Sequence, residues 1–250
     1  MLKKQYKSNK LSKVIFRLDF EKIELGSLEK FNNTELKKAF PTYGQKKVTE
    51  GNIEVNLKDG KVIQKNSEFA AYSFENDKKN KRFEVCEKYI FLEYDKYSNF
   101  KEVLNDAKSI IERFIVLFEV KTINRMGLRY INEVNLNEKN ALDWKKYINN
   151  DLMGNINFIK GNSKKISRSM GQIVFREEEG DLTFNFGIFN KQYPNEVVTK
   201  EFILDYDCYS RLPFEVSEEN ILNKLEKYHS YIGMLFESSI NDGFRKLLNK

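Results

Sequence analysis

The chain has 250 residues, 40% of them apolar and 14% aromatic, which is enough to bury a core and excludes a disordered chain. It has no uncharged apolar run of about 18 residues, and residues 1–13 lack an apolar signal-type stretch, so a cytoplasmic protein without a membrane span is predicted. The net charge of +6 accompanies a general richness in Lys, Asn, Ile and Phe, so the basic balance alone is weak ground for a nucleic-acid partner.

The first periodic segment, residues 14–21, alternates Val14, Phe16, Leu18 and Phe20 with Arg17, Asp19 and Glu21, the pattern of a half-buried strand. Ser27 then suits the N-cap of a helix carrying Leu28, Phe31, Leu36 and Phe40, stopped by Pro41. A meander is predicted over 48–57, an Asp59-Gly60 turn, 61–67, 69–74, a polar loop at 76–81, and 83–97. A long helix follows a Ser98 cap, with Phe100, Val103, Ala107, Ile110, Ile111, Phe114, Leu117 and Phe118 on one face.

The order then recurs. Residues 122–136 read as a strand, 141–149 as a short helix around the single tryptophan, Trp144, and 167–175 and 182–189 as strands about the turn Glu179-Gly180-Asp181. A last strand covers 198–209, and one long helix runs from near Ser217 through Leu247. An offset of 112 residues carries Arg17 onto Arg129 and Glu21 onto Glu133, and it aligns residues 91–98 without gaps to 203–210, with five identities. Six extra residues at 211–216 shift the register before Leu117-Phe118-Glu119 matches Leu235-Phe236-Glu237. The predicted fold is α+β: two tandem strand–helix–meander–long-helix units, 1–121 and 122–250, forming a pseudo-dimer with an antiparallel sheet and helices on one face.

Alternation places Arg17 with Asp19 and Glu21, Arg125 with Arg129 and Glu133, Glu93 with Asp95, and Asp205 with Asp207, all on the face opposite the helices. These residues either line a ligand surface or pair with one another across neighbouring strands. Asp205-x-Asp207 has the oxygen ligands of a divalent-cation site, but two carboxylates alone make a weak motif. Neither a dinucleotide glycine fingerprint nor a P-loop occurs, and no cofactor is predicted. Lys160, Lys164, Lys165 and Arg168 form a basic cluster that fits a solvated loop or a phosphate contact. Cys86 and Cys208 lie outside any CxxC or Cys/His cluster and read as reduced core or strand thiols. The single histidine, His229, sits beside the apolar stripe of the last helix, which disfavours histidine-based hydrolysis.

The segment Asn124-Arg125-Met126-Gly127-Leu128-Arg129-Tyr130-Ile131-Asn132 is the most distinctive, and Gly127 within it predicts a bulge or a close backbone approach. The strand Gly127-Leu128-Arg129-Tyr130-Ile131-Asn132, with Leu204-Asp205-Tyr206-Asp207 before a final long helix, resembles a sporadically distributed bacterial family of unknown function. The N-terminal half resembles that family in layout alone. The resemblance implies a setting in phage or mobile-element conflict and no particular activity.

The sequence thus points to a non-enzymatic ligand- or protein-binding module: a sensor, adaptor or sequestering protein. Its candidate ligand residues are Arg17, Glu21, Arg125, Arg129, Tyr130, Glu133, Asp205 and Asp207. The expected partner is an anionic ligand or a protein, and the expected state is a monomeric pseudo-dimer or a homodimer. The alternative is a nucleic-acid-binding protein, extending to a metal-assisted nuclease; a small-molecule enzyme using Tyr130 and the carboxylates is a third reading.

Overall fold

The structure, a computed structural model, describes residues 6–24, 34–55, 62–159 and 165–250. In β1 (Leu11–Phe20), Val14, Phe16, Leu18 and Phe20 are buried while Lys13, Ile15, Arg17 and Asp19 stay partly exposed, as a side-chain period of two requires. The chain continues through β2 (Thr42–Val55), β3 (Val62–Glu75), β4 (Lys81–Cys86) and β5 (Tyr89–Tyr94), of which β4 and β5 are buried on both faces over most of their length. Alternation of the β1 kind returns over most of β6 (Thr122–Leu136) and β9 (Lys200–Tyr209), and β7 (Ser169–Glu177), β8 (Gly180–Ile188) and the short β10 (Phe214–Glu215) complete the strands, β7 being largely exposed. These strands form one 10-stranded sheet in the order β2-β3-β4-β5-β1-β6-β9-β8-β7, with β10 beside β6. Every pairing is antiparallel.

Five helices accompany the sheet among the described residues: α1 (Thr34–Ala39), α2 (Phe100–Leu117), α3 (Gly154–Ile159), α4 (Glu218–Ser239) and α5 (Asp242–Leu248). The architecture is therefore mixed α+β. The cap of α2 is Asn99, whose side chain accepts from the Glu102 N–H at 3.0 Å, so Ser98 lies one residue too early for that role. Ser217 caps α4 by accepting from Asn220 N–H at 3.1 Å. Val103, Ala107, Ile110, Ile111 and Phe114 of α2 and Ile221, Leu225, Tyr228 and Ile232 of α4 are buried, and the two helices pack on each other over one face of the sheet. One continuous core joins helices and strands: Phe114 tilts on Phe20 at 4.7 Å and Tyr206 stacks on Phe184 at 4.6 Å. No described helix is long and apolar enough to cross a membrane.

Outward from the central β1–β6 pair the order is β5, β4, β3, β2 on one side and β9, β8, β7 on the other. The 112-residue offset relates Phe16 to Leu128, and these two residues are directly paired. The offset does not extend to the next strands. Arg17 pairs with Phe91, which would place Arg129 opposite Ile203, yet Arg129 pairs with Asp207. The slip of four residues is even, so every side chain keeps its face.

Several predicted boundaries change. Residues 62–67 and 69–74 belong to a single strand, β3, with Lys61 outside the described residues, and 83–97 contains the end of β4 and the whole of β5. Residues 141–149 form turns, not a helix, and helical structure begins only at a 3₁₀ turn, Asn150–Met153, followed by α3. The last helix breaks after Ser239. There Ile240 bridges Ile148, and the Asn241 side-chain amide donates to Lys145 O and Ile148 O, both at 2.8 Å, so tertiary bonds replace the next helical turn. The extra residues after Tyr209 leave the β9 edge and return as β10, pairing Phe214 with Ile123. Ser27, Leu28, Phe31 and the Asp59-Gly60 turn lie outside the described residues.

The β7–β8 turn is tied to α4 through Glu179, which meets Lys224, and Lys227 at 2.6 Å. Those two ammonium groups hold its carboxyl down at about 2. Because its folded value lies below the ordinary carboxylate value, its contribution to stability is present above about pH 4.5. That contribution is lost as pH falls towards 2. Thermal melts across pH should therefore show Glu179→Gln less stable than wild type at neutrality and equal to it near pH 2; a constant difference down to pH 2 would contradict the ion-pair assignment.

Candidate functional site: the helix-free sheet face

The register puts six charged residues from three adjacent strands together on the face without helices. Arg17 and Asp19 come from β1, Arg125 and Arg129 from β6, and Asp205 and Asp207 from β9. Arg129 is held by a two-pronged bond to Asp205, Nε to Oδ1 at 2.8 Å and Nη2 to Oδ2 at 2.7 Å. That hydrogen bond raises the Arg129 pKa further, and the guanidinium stays charged. Arg17 donates to Asp19 from Nε at 2.8 Å and Nη2 at 2.6 Å. Arg125 lies between two carboxylates, 3.7 Å from Asp19 and 3.6 Å from Asp207. Burial pushes the Asp207 carboxyl up, against the downward pull of Arg125 and Arg129.

The layering of this network has a consistent sense. The side chains of Arg17, Arg125 and Arg129 are 42%, 39% and 42% exposed, whereas those of Asp205, Asp19 and Asp207 are 6%, 24% and 28% exposed. The guanidinium groups thus form the outer layer and the carboxylates the layer that fixes them. Two guanidinium groups also rest on aromatic rings, Arg17 over Tyr89 at 4.3 Å and Arg125 over Tyr209 at 5.0 Å.

Gly127 explains how Arg125 can lie flat. A Cβ at position 127 would meet Arg125 Nη1 at 3.2 Å and Cζ at 3.6 Å, so the missing side chain is the seat of the guanidinium. The β1–β6 ladder runs through Gly127 without a register shift, the β6–β9 ladder begins at the Gly127–Tyr209 pair, and the predicted bulge is absent at this position. The close approach is made by an arginine side chain from two residues away, a position that shares its face.

Polar chains extend the cluster both ways. Asn185 donates to Asp205 at 3.3 Å and accepts from Gln172 at 2.8 Å, reaching the β7 edge. On the other flank Lys13 lies 3.2 Å from Glu93 and 3.4 Å from Asp95, and Arg82 donates to Glu93 at 3.2 Å. Beyond them Glu84, only 1% exposed, accepts from the Tyr89 hydroxyl at 2.7 Å and pairs with Lys46 at 2.6 Å.

Three predicted ligand residues stand apart. Glu21 follows the end of β1 and is exposed outside the strand. Glu133 is on the correct face but two pleats beyond Arg129, where it pairs with Lys191 at 2.5 Å. Tyr130 is on the opposite face, buried beneath the helices, its hydroxyl 2.9 Å from His229 Nδ1. His229 stacks on Phe100 at 3.8 Å, and burial pushes the neighbouring Tyr97 hydroxyl up to about 12. His229 is thus a packed element of the α2–α4 junction, away from the arginines. Cys86 and Cys208 are buried free thiols, raised by desolvation. Sequence reasoning missed Tyr89, Tyr209 and Asn185. Tyr209 shares the parity of Asp205 and Asp207, which was a legible signal; Tyr89 and Asn185 enter only through cross-strand register.

What the geometry defines is a polar sheet surface on which three arginines are held by three aspartates. No family model matches the chain, and no curated protein matches it.

Proposed function

We infer that the protein is a non-enzymatic binding module whose helix-free sheet face, centred on Arg17, Arg125 and Arg129, holds a protein or small polar ligand. The observation that supports this reading is the fixed presentation of three outer guanidinium groups by more buried carboxylates and by Tyr89 and Tyr209. Donors already held in one conformation lose little entropy on binding, and arginine and tyrosine are the residues enriched at recognition surfaces. Three arginines opposed by three aspartates leave no excess positive charge at the centre. That balance favours a partner carrying both acceptors and donors over the phosphate backbone of a nucleic acid, which is bound through unmatched cations.

Apart from the additional outer strand β2, the strand order β5-β4-β3 on one side of β1–β6 matches β9-β8-β7 on the other, which supports reading the chain as a duplicated unit with the seam at the centre of this surface. The slipped register of β6–β9 would then be a divergence between the copies that created the Arg129–Asp205 clamp. The family resemblance adds a setting in phage or mobile-element conflict.

Native mass spectrometry of protein purified from its own host tests the binding reading. A non-covalent adduct is expected on the wild type and should be reduced at least about tenfold in the double variant Arg17→Ala/Arg125→Ala, the loss of roughly 1.4 kcal/mol or more that interface arginines typically give. An adduct retained equally by the double variant would sink the proposal.

A further inference from the structure

The three guanidinium groups at the centre of the helix-free face are held in two different ways. Arg17 and Arg129 each give Nε and Nη2 to one aspartate, Asp19 and Asp205 respectively, in bonds of 2.6 to 2.8 Å. Arg125 stands 3.7 Å from Asp19 Oδ2 and 3.6 Å from Asp207 Oδ2, beyond hydrogen-bonding range, and among the described residues it makes no hydrogen bond. Charge, the bare Cα of Gly127 and the Tyr209 ring hold it in place, and its N–H donors are left for another partner.

The acceptors beside it have the same character. Asp207 accepts no hydrogen bond among the described residues, and Asp19 Oδ2 accepts none either, because both bonds from Arg17 end on Oδ1. Thr183, directly opposite Asp207 in the β8–β9 ladder, adds a hydroxyl that makes no hydrogen bond among the described residues. Arg125 Nη2 and Asp207 Oδ2 therefore offer a donor and an acceptor side by side, on two partly exposed side chains. Hydrogen bonds of ~2.9 Å to two atoms this close require the ligand's own donor and acceptor to lie on one small group. Because three arginines are opposed by three aspartates, a group with an unmatched charge gains little from the cluster as a whole.

We propose that Arg125 and Asp207 are the pair that contacts the ligand, and that the ligand presents an N–H donor and an oxygen acceptor side by side without net charge. An amide has this pattern, and so do the ammonium and carboxylate of an amino acid. The inference deepens the binding reading of the same face and rests on it. Arg17 and Arg129, already clamped, border the contact, and Thr183 stands at its β8 side.

Titration of isotope-labelled full chain with acetamide and with glycine, followed by NMR at the Gly127 amide beneath the Arg125 guanidinium, tests this. One or both should shift that resonance saturably, and the one that does identifies the source as an amide or an amino acid. Acetate and methylammonium, which each carry half the pattern and a net charge, should bind at least about tenfold more weakly. Arg125→Lys keeps the charge but loses the planar fork, and Asp207→Asn keeps the shape but replaces an acceptor by a donor. Each should weaken binding at least about tenfold, and Arg17→Lys less than about threefold. Acetate or methylammonium binding as well as the neutral probes, or Arg17→Lys losing as much as Arg125→Lys, would overturn the proposal. If neither neutral probe shifts Gly127 while the host-derived adduct still depends on Arg17 and Arg125, this inference fails alone; if the adduct is absent too, the binding reading falls with it.

Discussion

Arg129→Ala should destabilise the protein by about 3 kcal/mol, a far larger loss than a half-exposed surface arginine ordinarily brings. The reason is its partner. Asp205 is 4% exposed, and without Arg129 its carboxylate keeps, among the described residues, the 3.3 Å bond from Asn185. An uncompensated buried charge is the costly outcome, typically about 3–5 kcal/mol, and the low end applies because Arg129 is itself 42% exposed. Replacing both partners by apolar residues, as in Arg129→Leu/Asp205→Leu, should restore most of the loss, since no charge is then stranded. Urea denaturation of the two variants checks both statements; equal instability of the single and double variants would contradict them. Loss of binding in Arg129→Ala therefore says little by itself, whereas Arg17 and Arg125, opposed by more exposed carboxylates, can be removed with less damage to the fold.

Trp144→Ala should be the second large effect, about 4 kcal/mol, corresponding to a fall in melting temperature of roughly 10 °C. Trp144 is fully buried, tilts against Phe202 at 5.2 Å, and donates from Nε1 to Ala141 O at 3.0 Å. It also faces a buried ammonium: Lys200, 3% exposed, lies 5.3 Å from the rings of Trp144 and Tyr147 and 2.7 Å from Glu138. Truncation leaves a cavity and removes one wall of the lysine's slot. Trp144→Phe keeps a ring over the ammonium and should lose less than half as much in a thermal melt. A Trp144→Ala protein that melts within about 2 °C of wild type would show that the segment 141–149 does not anchor the fold.

Strand face was legible in the sequence and strand register was not, and the two have different physical origins. Alternation in β1, β6 and β9 assigns each side chain to a face, so Arg17, Arg125, Arg129, Asp205 and Asp207 were placed together correctly. A shift of any even number of residues leaves that pattern untouched, so the four-residue slip of β6 on β9 has no signature in hydrophobic periodicity. That slip decides which acid meets which arginine. Parity also separates Tyr130 from its neighbour Arg129, and Tyr130 lies on the opposite face, under the helices beside His229. The segment 141–149 has helical spacing in Ala141, Trp144, Tyr147 and Ile148, but Asn241 and Ser239 supply the bonds its backbone needs, and tertiary contacts override the local preference. Gly127 pointed to a close approach, and only the structure identifies the visitor as the Arg125 side chain.

The most direct measurement of the central claim is arginine modification by a dicarbonyl reagent, comparing protein that carries what it retains from its host with protein stripped of it. Binding at the helix-free face predicts protection of Arg17, Arg125 and Arg129 and unchanged modification of Arg113 in α2 and Arg245 in α5. Protection confined to Arg113 and Arg245, or equal reactivity of all five in both preparations, would contradict it.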